Sequence, residues 1–380
     1  MRWTLIGTFA LLAAACSSSG DGDSSSSGSG SGAGSGDGGS GGGGSGGGVP
    51  GEAHFIGRFD TSDPAGPRFS WSGSAIYARF SGTGLKARLG DSGDNFLAVV
   101  IDDGPPTALR LMGPDSTYTL AEGLPAGEHT VLIEKRTEAA LGVVQLLDLA
   151  PTEGQILASP APHARGIEFV GDSITCGYGN EGAEATCPFS SETENEYMAY
   201  GAIAARALDA AHTSIAWSGI GAYRDYGGST EDQMPVRFTR TLGDDPTSTW
   251  DFSWTPEVVV VNLGTNDFAQ GDPGQPFADA YTGFVEDLRG HYPDAFILCA
   301  LGPMLSDSFP AGEMRLTRAR EYIQGAIDAR QQAGDTRIGL VELDEQDPAD
   351  GLGCDYHPSI TTHEKMAEKV VAAIQDVVGW

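Results

Sequence analysis

Between residues 163 and 380, five apolar runs alternate with stretches of helical spacing. The runs are Gly166-IEFV, Thr213-SIAW, Glu257-VVVVNL, Ala295-FILCAL and Arg337-IGLVEL. Alternation of strand and helix over this length predicts a parallel sheet with helices on both faces. Pro276 suits the first turn of one helix, and Phe277, Tyr281, Phe284, Val285 and Leu288 behind it keep helical spacing. Thr193 with Glu196, and Thr361 with Glu364, have the spacing of capping boxes. They predict the starts of an Ala-rich helix and of the last helix. In such sheets the site lies outside the carboxyl ends of the strands. Ser173 follows the first run, Gly219 the second and Asn266 the third, while Asp355 and His357 follow the fifth. Residues far apart in the chain are thereby brought to one edge.

Residues 51–150 have a different pattern. Ser74-AIYARF, Asn95-FLAVVID, His129-TVLIEKR and Gly142-VVQLLDL are short runs broken by Gly, Pro and Asp, which indicates a β-sandwich. Phe55, Phe59, Phe69 and Trp71 are expected in its core. A Pro-punctuated connector, 151–162, separates this part from the α/β part. Residues 17–50 precede the sandwich, and 17–48 contain only Ser, Gly, Asp and one Ala, a flexible tether with a reach of ~30 Å. Ahead of it, Met1-Arg2, the apolar TLIGTFALLAAA and Cys16 read as a signal peptide, residues 1–16. The run is too short to span a bilayer as a helix. The Ala-Ala-Ala-Cys junction resembles a bacterial lipoprotein signal, which implies lipidation of Cys16, export, and membrane attachment through the lipid alone. Ser17 after the cysteine points to sorting to the outer membrane.

The chain carries 52 acidic against 22 basic residues, a net charge of −30. The acids are dispersed and no Lys/Arg cluster stands ready to neutralise phosphates, which argues against nucleic acid as a partner. Cys176, Cys187, Cys299 and Cys354 lack zinc-site spacing, so neither a metal nor another cofactor is expected.

Two patterns overlap at Gly171-DSITCGYGNEG. Gly177-x-Gly179-x-x-Gly182 matches the dinucleotide fingerprint, but five residues separate it from the strand end and no helix follows it. Its glycines read instead as an ordered loop beside Ser173. A serine becomes nucleophilic when a base takes its proton, and the base works best when a third group orients it. Of the seven histidines only His357 sits in a strand-end loop with an acid two residues away. The α/β-hydrolase elbow G-x-S-x-G is absent, since Thr175 stands two after Ser173.

Gly171-Asp172-Ser173, Ser218-Gly219-Ile220-Gly221, Gly264-Thr265-Asn266-Asp267 and Asp355-Tyr356-His357 resemble the four blocks of the GDSL/SGNH hydrolases. Gly171-DSITCGYGNEG and Cys354-DYHPS are similar, more narrowly, to carbohydrate esterase family 2. The resemblance implies a jelly-roll-like sandwich before an SGNH domain of three layers, and removal of acetyl groups from plant polysaccharides such as xylan or glucomannan. It implies Ser173 as nucleophile and His357 as base, with the Ser173 N–H, a glycine N–H (Gly219) and the Asn266 amide as oxyanion donors. Asp355 would orient His357, although the superfamily places its acid three residues before the histidine, so a triad and a dyad both stay open. Asp172 is expected to be a structural hydrogen-bonder, and Tyr356, Tyr223 and Tyr226 to meet sugar rings. In an oxidising compartment a Cys176–Cys187 bridge would hold the glycine loop, though Cys354 also lies near the site. The alternatives are a lipase or lysophospholipase on the same fold, and a polysaccharide-binding lipoprotein without catalysis.

Overall fold

The computed structural model describes residues 53–159 and 162–380. The signal peptide with Cys16 and the linker 17–50 lie outside the described residues. Ten strands come first: β1 (His54–Ile56), β2 (Arg68–Phe69), β3 (Ala75–Gly82), β4 (Gly84–Asp91), β5 (Phe96–Ile101), β6 (Thr107–Arg110), β7 (Ser116–Ala121), β8 (Gly127–Lys135), β9 (Val144–Thr152) and β10 (Ile156–Leu157). They form two antiparallel sheets, one in the order β1-β3-β8-β5-β6 with β10 also on β3, the other β2-β9-β4-β7. Alternate residues point between them. Ile76, Ala78 and Phe80 of β3, Val131 and Ile133 of β8, and Leu85, Ala87 and Leu89 of β4 share one buried cluster. Charged Lys86 and Arg88 alternate with the buried residues of β4, as a strand with one covered face requires.

The second part has five parallel strands, β11 (Arg165–Gly171), β12 (Ala210–Ala216), β13 (Val258–Asn262), β14 (Phe296–Leu301) and β15 (Ile338–Glu342). Six helices interleave with them: α1 (Ser173–Cys176), α2 (Tyr200–Ala207), α3 (Met234–Arg237), α4 (Gln275–His291), α5 (Arg315–Gln332) and α6 (Ile360–Val378). The strand order is β12-β11-β13-β14-β15, which reverses direction at β11 and β13. Val259, Val261, Ile297 and Cys299 face α4 and α5. Val258, Val260, Leu298 and Ala300 face α2 and α6. Both faces being covered explains the unbroken apolar runs. The five predicted stripe residues of α4 are all buried.

Both predicted capping boxes are corrected. Ser359 caps α6 by accepting the Thr362 N–H, and Ala199 precedes α2 without a side-chain cap. Glu196 instead turns inward, accepting from Ser214 Oγ at 2.7 Å beside His212. His212 lies within β12.

Sandwich and sheet share a seam. Trp71, expected in the sandwich core, is fully buried in the α/β core and donates its Nε1–H to the Arg240 carbonyl at 3.2 Å. Arg58 is buried against Glu168 of β11 at 3.2 Å, where Tyr292 also donates. Such a pair tolerates burial because both partners are hydrogen-bonded. Phe69 is in the sandwich core as expected, Phe59 packs on its edge, and Phe55 is exposed.

Candidate active site

Gly171 ends β11, and the chain turns at once into α1. Asp172 caps this one-turn helix, its Oδ1 accepting the Ile174 N–H at 3.0 Å, the structural role expected for it. Ser173 therefore stands at the first helical position, on the switch point of the sheet, with Asn266 beyond the neighbouring strand. Burial, helped by repulsion from Asp267, raises the Asp172 pKa to about 7.

His357 comes from the loop before α6, and its Nε2 lies 2.9 Å from Ser173 Oγ. Its Nδ1 faces two backbone carbonyls, those of Cys354 and Asp355, each at 3.2 Å. Carbonyls only accept, so the proton sits on Nδ1 and Nε2 keeps its lone pair for the serine hydroxyl. Burial pushes the imidazole pKa down to about 4, which keeps the ring neutral and able to act as a base.

The Asp355 carboxylate does not reach this ring, and its expected role as orienter is corrected. Residues 354–356 form a 3₁₀ turn with φ of 51° at Asp355 and 64° at Tyr356. Side chains two apart share a side only in an extended segment. The carboxylate instead accepts from the Tyr178 hydroxyl at 2.8 Å and the Phe189 N–H at 3.1 Å. Two left-handed non-glycine residues in succession are costly and persist only where the surroundings enforce them.

Those surroundings are the glycine loop. Cys354 N–H donates to the Gly179 carbonyl at 2.9 Å, Asp355 N–H to Cys187 and Tyr356 N–H to Ala185. A Cβ on Gly179 would meet Cys354 Cβ at 2.6 Å and one on Gly182 would meet Cys354 Sγ at 2.6 Å, so close approach requires both glycines. Tyr178, immediately before Gly179, stacks on His357 with ring centroids 4.1 Å apart. Sequence reasoning missed Tyr178, because only its two-sided contact reveals it.

The expected Cys176–Cys187 bridge is also corrected. The structure joins Cys187 to Cys354, while Cys176 and Cys299 are free and buried. Cys176 points from α1 into the interior, whereas Cys187 and Cys354 lie on the two zipped loops. Peptide mapping of the non-reduced protein is expected to recover the Cys187–Cys354 pair. Reduction under native conditions should lower kcat by ~10-fold or more, since displacing a base by about an ångström is costly. Unchanged kcat in the reduced protein would show that the hydrogen-bonded loops hold His357 without the bridge.

Asn266 is nearly buried, and its Nδ2 donates to the Ile220 carbonyl at 2.9 Å and to Asp172 Oδ2 at 3.3 Å. Of the two bonds the one to Asp172 is the longer and weaker. Among the described residues, the N–H groups of Ser173 and Gly219 donate to no backbone or side-chain acceptor. Gly219 has a φ of 84°, a conformation a side chain would resist, and a Cβ there would meet only open space. Asp267, to which no role was given from sequence, accepts the N–H groups of Ala222, Tyr223 and Arg224 at 3.0, 2.7 and 2.9 Å, shaping the loop beyond Gly219. Its pKa is raised by burial.

Tyr226 and Tyr356 are exposed, whereas Tyr223 is half-buried against the α/β core. Two groups with metal-binding side chains, Glu134–Glu196–His212 and Glu138–Cys176–Glu194, are buried.

Residues 55–160 match the family model described as Carbohydrate esterase 2 N-terminal, and residues 169–365 match the GDSL-like Lipase/Acylhydrolase family. An Acetylxylan esterase / glucomannan deacetylase of Cellvibrio japonicus is 30% identical over 332 residues, 86% of this chain and 88% of that protein. The chain belongs to carbohydrate esterase family 2. The Cellulase/esterase CelE of Acetivibrio thermocellus is 42% identical over 328 residues, covering 86% of this family 2 chain but only 39% of CelE. This chain thus spans less than half of that relative. Among solved structures, a family two carbohydrate esterase from Clostridium thermocellum in complex with cellohexaose superposes with a TM-score of 0.82 at 41% identity, over 86% of this chain and 99% of that one. The family two esterase from Cellvibrio japonicus gives 0.78 at 29% identity, over 87% and 96%.

Proposed function

We propose that this chain is a serine esterase that removes acetyl groups from plant cell-wall polysaccharides, acetylated xylan or glucomannan. The reading rests on one observation above all. A serine hydroxyl at the switch point of a parallel sheet meets, at 2.9 Å, an imidazole whose other nitrogen faces only carbonyls. The names of the Cellvibrio relatives support the substrate class.

Ser173 Oγ attacks the acetyl carbonyl carbon while its proton passes to His357 Nε2. Charge builds on the carbonyl oxygen, for which the N–H groups of Ser173 and Gly219 and the Asn266 amide are the candidate donors. Collapse breaks the carbon–oxygen bond to the sugar, and His357 returns the proton to the departing hydroxyl. Water then attacks the acetyl-serine with His357 again as base, releasing acetate and restoring Ser173. Tyr226 and Tyr356, exposed at the same edge of the sheet, offer faces to a glycan. Lipid attachment at Cys16 and the linker 17–50 would hold the enzyme at the outer membrane, clear of the surface.

Acetate release from acetylated xylan and glucomannan, set beside turnover of p-nitrophenyl palmitate, tests the proposal. Rapid acetate release with little palmitate hydrolysis is expected. The reverse preference would make the chain a lipase, and inactivity on both would leave a binding protein. Cys16→Ala should release the protein from the membrane fraction with its specific activity unchanged.

A further inference from the structure

The seam between sandwich and sheet brings a buried carboxylate to the site. Glu138 follows β8 of the sandwich and is 3% exposed. Its Oε2 accepts the Ser218 N–H at 2.7 Å, one residue before Gly219, and lies 3.9 Å from Sγ of Cys176, the last residue of the helix that Ser173 begins. A single oxygen therefore touches the loop that carries one oxyanion donor and the helix that carries the nucleophile. The rest of the loop is held at points on either side. Trp217 N–H donates to the Gly171 carbonyl at 3.3 Å, and the Gly219 carbonyl accepts from the Tyr226 N–H at 2.7 Å.

Glu138 is itself immobilised. Lys135 Nζ, fully buried, donates to the Glu138 carbonyl at 2.9 Å and to the Thr137 carbonyl at 2.7 Å. The Glu138 N–H donates to Glu194 Oε2 at 2.9 Å, and Ala139 beside it is buried in the α/β core. Burying a carboxylate, a lysine and a second carboxylate together is costly unless their geometry is enforced. Folding of the sandwich alone gives no reason to aim this carboxylate at a backbone N–H of the hydrolase.

We infer that Glu138 is a positioning residue for the esterase, a strut by which the β-sandwich holds the Trp217–Ser218 peptide, and through it the adjoining Ser218–Gly219 peptide, so that the Gly219 N–H points at the oxyanion. This rests on the esterase reading above and deepens it. The sandwich then contributes to turnover of any acetyl ester, whether or not a glycan is attached. A glycine with open space around it has no side chain to fix its own peptide, so its direction must be imposed from its neighbours.

Glu138→Gln and Glu138→Met test this with side chains of similar length, of which only glutamine keeps an acceptor for the Ser218 N–H. On p-nitrophenyl acetate, Glu138→Met should lower kcat ~10²-fold with KM within about two-fold, as expected when one oxyanion donor is lost. Glu138→Gln should stay within about five-fold of wild type. Phenylboronic acid, whose tetrahedral adduct on Ser173 Oγ presents an oxygen to the same donors, should lose affinity for Glu138→Met by the factor by which kcat falls. Thermal unfolding of each variant verifies the fold, and Glu138→Ala replaces the methionine variant if that one is unfolded. A folded variant lacking the acceptor whose kcat stays within three-fold of wild type overturns the strut. So does a fall in kcat with undiminished boronate affinity. Wild-type protein inert on p-nitrophenyl acetate would instead refute the esterase reading itself.

Discussion

Replacing Ser173 by alanine should reduce acetyl-ester turnover by at least ~10³-fold, with thermal stability and affinity for the polysaccharide substrate left near those of the wild type. Ser173 is small and nearly buried, and its hydroxyl meets His357 alone among the described side chains. Removing that oxygen costs one neutral hydrogen bond: Nε2 of the half-buried, neutral imidazole loses its donor, while Nδ1 stays satisfied by carbonyls. The oxyanion donors remain in place, so any residual rate would come from their action on water attack. Steady-state kinetics with acetylated xylan and p-nitrophenyl acetate, with unfolding followed in parallel, gives the answer. Turnover above ~1% of wild type in a preparation free of wild-type enzyme would remove Ser173 from its role.

The parts of the fold visible in the sequence are those with local causes. β-Branched runs such as Val258–Val261 are buried on both faces and so carry no polar interruptions. The stripe on α4 repeats at helical spacing because one face alone is covered. Where tertiary structure overrides a local preference, the reading failed. Glu196 has the right spacing to cap a helix, yet it is drawn inward to Ser214 and His212 on β12. Arg58, Trp71 and Glu138 read as sandwich residues, and only the packed seam shows that their side chains serve the other half. The Cys187–Cys354 bridge closes 167 residues of chain, a separation at which spacing carries no information. Ser173, His357, Gly219 and Asn266 could be placed at one edge because strand order alone brings them there. What each touches there could not be read, since it depends on turns such as the left-handed pair at Asp355 and Tyr356.

Replacing His357 by alanine should cost as much as Ser173→Ala, and the double variant should cost little more than either, since nucleophile and base act as a unit. Asp355→Asn should behave differently. Its carboxylate supports Tyr178 and the Phe189 N–H rather than the imidazole, so kcat should fall no more than ~10-fold, through a looser stack on His357. A loss approaching that of His357→Ala would restore Asp355 as the orienting acid. The pH profile supplies an independent check with a definite sign. The active form carries neutral His357, whose pKa burial lowers to about 4. Protonation removes the lone pair that accepts the Ser173 proton, so kcat/KM should hold its plateau through pH 6 and fall only as pH drops through about 4. A carboxylate directed at Nδ1 would stabilise the imidazolium and move this limb up, toward or above the ordinary histidine value of about 6.5. An acid limb near pH 4 that Asp355→Asn leaves in place would therefore identify a dyad in which backbone carbonyls, presented by a strained and disulfide-held turn, perform the service an aspartate performs elsewhere.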